Sequence, residues 1–266
     1  MRTRREILLG GFASLAVPFV GRCSPIKSLL GAEGIENIQE DKADITAASY
    51  VQDGLLSQYD GIENYGYGTH DDSIALWKDL KGGRDATIQG DCYWNSTSLH
   101  RNPVSSAKIF LPDIHIQQGL HIEYFSAVYN LGSGNFRDIC SNSSKRFEII
   151  QNSTSRFGAL YMNANGGNVT RAYYAYVQSA EPKTTSLGFD DQGLVISMNG
   201  VYPSYDYTVN TPLSNTYYGL QTLSLGSFGS LFEDADFYSI RIYSRVLTPQ
   251  EIAYNAEIDK ERFSQT

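Results

Sequence analysis

The chain has 266 residues and a formal net charge of −8, a length that fits one large β-sandwich or two small domains. Residues 1–24 hold Arg2, Arg4, Arg5 and Arg22 against Glu6, which leaves the remainder at −11 and excludes nucleic acid and anionic lipid as natural partners of the folded part. Twenty-four glycines and 19 tyrosines suit many short strands joined by tight turns.

The first predicted element is a targeting segment, residues 1–24. Met1 to Glu6 is a basic leader, and Ile7 to Val20 is an apolar stretch too short to span a bilayer, so export to the periplasm, the cell surface or the medium is expected. Thr3 to Leu8 resembles a twin-arginine signal and equally fits a Sec signal; both readings stand. Cys23 sits where a lipidated cysteine would, but Arg22 before it opposes anchoring, because that position needs a small residue. Residues 25–48 mix Gly, Glu, Asp, Asn and Lys with little strand character and read as a linker.

From residue 49 to 263 the chain reads as one domain. Val51 to Tyr59 is a strand closed by Asp60 and Gly61, and Ile74 to Leu80 is another, closed by Lys81 to Gly83. Lys108 to Leu111 and Gly119 to Tyr129 follow, the latter alternating Leu120, Ile122 and Tyr124 against His121, Glu123 and Phe125. Arg146 to Gln151, Arg156 to Met162 and Ala172 to Gln178 come next, bounded by Ser, Asn and Gly. Gly193 to Met198, then Asn199-Gly200, then Val201, is the strongest hairpin signal in the chain. Phe237, Ile240, Ile242 and Tyr243 form a last strand, and Thr248, Pro249 and Glu251 then open a helix with a capping box. Many strands without βαβ alternation predict an all-β fold, a two-sheet antiparallel sandwich or jelly roll with a short C-terminal helix.

The C-terminal unit, Asp236 to Ile258, resembles the end of bacterial laminin-G-like domains of the concanavalin A-like lectin/glucanase superfamily. Tyr50 to Leu55, Gln58 to Gly61, Trp77 to Leu80 and Asp85 to Thr87 are similar to the opening of the same domains, and the Asn199-Gly200 turn lies where they commonly have one. The resemblance implies a concanavalin A-like jelly roll. It also implies that calcium, where such a domain holds it, is structural, with Asp60 as the candidate ligand.

Catalytic signatures are missing from the sequence. Glucanases of that superfamily carry a Glu-x-Asp-x-x-Glu strand, and no such run occurs; the nearest acidic cluster, Glu233 to Asp236, has the wrong spacing and reads as a solvated turn. His70, His100, His115 and His121 lie in no metal-binding spacing and read as surface residues, and there is no Gly-x-Ser-x-Gly elbow. Cys92 and Cys140 read either as a disulfide or as two separately buried thiols. What remains is aromatic: Tyr202, Tyr205 and Tyr207 around Asp206, and Tyr65 and Tyr67 in a glycine-rich loop, residue types that pack on sugar C–H faces and accept from hydroxyls. The expected function is an exported, non-catalytic module that binds a glycan or a glycosylated protein at the cell envelope. The alternatives are a glycoside hydrolase or lyase with an unrecognised acid pair, and a protein-binding adhesion domain.

Overall fold

The computed structural model describes residues 45–264 except 105, 116–118, 131–136, 143–146, 154–155, 163–168, 176–180, 191–192, 202–219 and 226–233. The expected signal segment with Cys23, and the linker up to residue 44, lie outside the described residues. In chain order the strands are β1 (Leu55–Asp60), β2 (Leu76–Trp77), β3 (Ala86–Gln89), β4 (Cys92–Trp94), β5 (Leu99–Arg101), β6 (Lys108–His115), β7 (Gly119–Asn130) and β8 (Arg137–Asn142). They continue with β9 (Phe147–Ser153), β10 (Arg156–Met162), β11 (Val169–Ala175), β12 (Lys183–Asp190), β13 (Gly193–Met198), β14 (Leu220–Leu225) and β15 (Asp234–Tyr243), and helix α1 (Pro249–Phe263) ends the fold.

Two antiparallel sheets result, as the strand pattern predicts. One has seven strands in the order β13-β12-β7-β15-β5-β4, with β1 also on β15; the other has eight, in the order β11-β10-β9-β8-β14-β6-β3-β2. Alternate residues of each strand point to one side, and the inward set makes a single core: Ile122, Tyr124, Leu187, Phe237, Ile240 and Ile242 from the first sheet meet Trp77, Ala86, Ile109 and Leu111 from the second. Trp77 sits at its centre with no exposed surface, edge-on to Tyr59 and Trp94, and its indole N–H donates to the Asp60 carbonyl at 2.9 Å.

Several strand boundaries differ from the sequence reading, two of them for a clear local reason. β1 begins at Leu55 rather than Val51, because Asp53 and Gly54 make a turn in which Gly54 has a φ of 76°. β2 is only Leu76–Trp77, because the Asp79 carboxylate accepts the amides of Gln58, Lys81 and Arg84 and bends the chain out of the ladder. The Asn199-Gly200 turn forms as expected, with Met198 bridging to Val201, and β13 pairs along its length with β12; residues 202–219, which follow it, lie outside the described residues.

That turn also seats the helix. Asn199 and Gly200 have φ of 50° and 73°, and a Cβ on Gly200 would lie 2.7 Å from the Ala253 backbone of α1. Gly200→Ala should therefore lower stability by about 1–3 kcal/mol in urea unfolding, from strained φ and helix displacement together. An unchanged midpoint would show that α1 does not rest on the turn.

Helix α1 starts as its sequence dictates. The Thr248 hydroxyl accepts the Glu251 amide at 3.3 Å, and Glu251 accepts the Thr248 amide at 2.8 Å, closing the box. Arg245 adds a two-pronged bond to the same carboxylate, and that hydrogen bond is the main reason the Glu251 pKa falls to about 2. The face the helix buries is unusual, since it carries Asn255 and Asp259 beside Ile252, Ala256, Ile258 and Phe263.

Candidate functional site

The seven-stranded sheet has an outer face, away from the core, and its side chains form transverse rows because antiparallel partners point the same way. One row runs Ser186, Glu123, Arg241, Gln58 across β12, β7, β15 and β1. Helix α1 lies over it. Arg241 is fully buried and makes a bidentate pair with Asp259 of the helix, both bonds 2.7 Å, while its Nε donates to Glu123 at 3.2 Å. Asn255 donates to Glu123 at 2.7 Å, Ser186 donates to it at 2.9 Å, and Tyr50 donates to Asp259 at 2.9 Å with its ring 4.1 Å from the guanidinium. Burial pushes the Glu123 carboxyl up, but its hydrogen bond with His121 and the Arg241 charge outweigh this and hold it below the usual range.

The register of β15 slips between Phe237 and Ser239, which places both Tyr238 and Ser239 on the outer face. Ser239 donates to Asp259 beneath the helix, whereas Tyr238 packs on Phe125 and on Phe263 at the helix end. There the cover stops.

Among the described residues, the next row is open at its two tyrosines. Tyr93 on β4 lies opposite His100 on β5, which lies opposite Asp236 on β15. The Tyr93 and His100 rings stack with centroids 4.5 Å apart at 31°, and Tyr129 from β7 stands on the other side of His100 at 6.4 Å and 31°. Asp236, 7% exposed, is the anchor: its Oδ1 lies 2.9 Å from His100 Nδ1 and 3.4 Å from the Asn95 amide nitrogen, and Tyr129 donates to its Oδ2. Asp234 lies 3.3 Å from the other imidazole nitrogen, with its side chain 30% exposed. Tyr93 and Tyr129 are 49% and 41% exposed, so two fixed rings beside a carboxylate and an amide face solvent. Burial, then the hydrogen bond to Asp236, pushes the Tyr129 hydroxyl well above its ordinary pKa, so the phenol is held protonated.

Most of this was not anticipated from the sequence. Asp234 and Asp236 belong to a strand and not to a solvated turn, because β15 continues upstream to pair Ala235 with Val128 and Arg101. His121 and His100 are not surface residues: His121 is fully buried beside Glu123, and His100 sits between carboxylates. The signal that could have found the row is the alternation itself, since Tyr93 flanks the inward Trp94 and His100 the inward Leu99.

The residues singled out earlier fall elsewhere. Tyr65 and Tyr67 are exposed on the loop after β1, which Asn64 braces by donating to the Asp71 carbonyl at 2.9 Å and accepting its amide at 2.8 Å. Tyr202, Tyr205, Asp206 and Tyr207 lie outside the described residues. Asp60 is engaged by an arginine: it is fully buried, and its two oxygens take Arg262 at 2.9 and 3.1 Å and the amides of Ile62 and Glu63. Its lone pairs serve that ion pair and the turn. Cys92 is a free thiol on the seven-stranded sheet, while Cys140 lies on β8 of the other sheet, so the bridge that was one of two readings is not formed. No group of three or more metal-ligating side chains occurs among the described residues, and none of their helices is long and apolar enough to cross a membrane.

No family model matches the chain, and no curated protein matches it. Solved structures do. The receptor-binding domain of botulinum neurotoxin C/D mosaic serotype has a TM-score of 0.60 at 11% identity, over 77% of this chain and 51% of that one. The ligand-binding domain of botulinum neurotoxin serotype D in complex with N-acetylneuraminic acid has 0.59 at 9%, over 77% and 50%. Trypanosoma rangeli sialidase has 0.58 at 12%, over 79% and 33%. The chain thus spans about half the length of these neurotoxin structures and a third of the sialidase. At such identities the likeness is one of fold: the protein is a two-sheet β-sandwich of the kind found in these binding domains.

Proposed function

We propose that this protein is an exported, non-catalytic module of laminin-G-like type that binds a glycan or a glycosylated protein at the cell envelope. The observation that carries the reading is the row of Tyr93, His100, Tyr129 and Asp236, open at its two tyrosines. Its rings are pre-set by stacking and by hydrogen bonds to a buried carboxylate, so a sugar face can settle on them with little loss of side-chain freedom. The fold is compatible with such a role, since one neighbour is in complex with N-acetylneuraminic acid and another, the binding domain of botulinum neurotoxin DC, with rat synaptotagmin II.

A binding role is supported by the way Asp236 spends its oxygens on holding the Tyr129 hydroxyl and the His100 ring in place, which fixes the aromatic surface.

The test is a glycan array on the full chain, repeated with Tyr93→Ala. At least one glycan should bind, and the substitution should weaken it about tenfold or more, the scale of a lost aromatic platform. Release of reducing ends from a bound polysaccharide would overturn the non-catalytic reading. An array without binders, together with a protein ligand that survives deglycosylation, would replace the glycan with a protein partner.

A further inference from the structure

The charge of the row narrows its ligand. Two carboxylates, Asp234 and Asp236, flank one imidazole, so the row is net negative in either protonation state of His100. The two have different duties. Asp236 is nearly buried and spends its oxygens on His100, Asn95 and Tyr129, so it shapes the site without being free to meet a ligand. Asp234 lies 3.3 Å from His100 with its buried Oδ1 lacking a hydrogen-bond partner, and its side chain is 30% exposed.

A ligand that settles on Tyr93 and Tyr129 would cover that carboxylate and strip its water. Against a neutral hydroxyl the lost hydration is only partly replaced, and against a sugar carboxylate two like charges are forced together. An ammonium group reverses both costs, since it pairs with Asp234 and is drawn to the faces of the tyrosine rings. The whole chain, at −8, adds long-range attraction of the same sign.

We infer that the row selects glycans carrying free amino groups and rejects acidic ones. This rests on the reading of the row as a glycan site, and fixes its class of sugar. Such a preference departs from the sialic acid named for one structural neighbour.

The experiment measures binding of three oligosaccharides of matched length to the full chain by calorimetry at mildly acidic pH, where sugar amines are charged. They are a β-1,4-glucosamine oligomer, its fully N-acetylated form and a galacturonate oligomer. The free-amine oligomer should bind about tenfold or more tightly than the acetylated one, and the galacturonate should not bind. Asp234→Asn should bring the first ratio close to one. Glu257→Gln, on the solvent side of α1 where Glu257 is 76% exposed, should leave it unchanged.

Equal or tighter binding of the acetylated or acidic oligomer would overturn the inference, as would a ratio that survives Asp234→Asn. A loss on Glu257→Gln as large as on Asp234→Asn would also overturn it, because bulk charge would then be the cause. If none of the three binds but the array finds another glycan, the class is wrong and the site stands; if the array is also blank, the site itself is wrong.

Discussion

Arg241→Met should destabilise the protein by roughly 3–5 kcal/mol at neutral pH, read from the urea midpoint at constant m-value. The guanidinium is the one group in the described network that pairs with both Glu123 and Asp259, and all three side chains are fully buried. Removing it leaves two carboxylates under α1 with hydroxyl, phenol and amide donors, and with only the His121 imidazole beside Glu123 to share their charge. A buried charge without its counter-ion is far costlier than the loss of a pair that water could replace.

The pH dependence separates this from a mere packing defect. In the wild type, Glu123 is held below its ordinary range, so it contributes stability that is fully present above the unfolded carboxylate pKa and is lost as pH falls through the lower folded pKa. In the variant the cation is gone, and burial favours protonated carboxyls. The deficit should therefore be greatest at neutral pH and shrink on acidification. A deficit that stays constant with pH would mean that shape, and not charge, explains the loss.

Asp236→Asn should weaken glycan binding by roughly 10- to 100-fold while leaving the sandwich folded. The carboxylate oxygens face three groups with hydrogens to give: the Tyr129 hydroxyl, the Asn95 amide and the His100 ring. A carboxamide offers one oxygen and points N–H groups at the rest, so Tyr129 or His100 must turn away. The row then loses its pre-set geometry although both tyrosines remain. The fold survives because Asp236 lies beyond the end of α1, outside the Arg241 network. Near-wild-type affinity would show that the rings hold their places without Asp236.

Much of the fold could be read from short stretches of chain. The Thr248 to Glu251 box depends on groups three residues apart, and the bounds of β10 and β13 match their apolar runs because flanking Ser, Asn and Gly end them locally. The alternation of Leu120, Ile122 and Tyr124 likewise fixes which side of β7 faces the core, since side-chain direction in a strand has a period of two.

The candidate site was not legible in this way. Tyr93, His100, Tyr129 and Asp236 stand on four strands, and no spacing in the chain relates them; register across β4, β5, β15 and β7 brings them into contact. The reading of Glu233 to Asp236 as a solvated turn failed for the same reason, since acidic residues are polar in sequence but can be buried where partners arrive from elsewhere. Asp60 was placed correctly beside a turn, yet its partner, Arg262, comes from the far end of the chain. The Asp236 to Ile258 unit shows the division most clearly. Its sequence determined a strand and a capped helix, because capping and alternation are satisfied within a few residues. Only the tertiary structure decided that the slip at Tyr238 parts the outer face into a covered arginine network and an open aromatic row, because that outcome depends on where the helix ends over strands drawn from the whole domain.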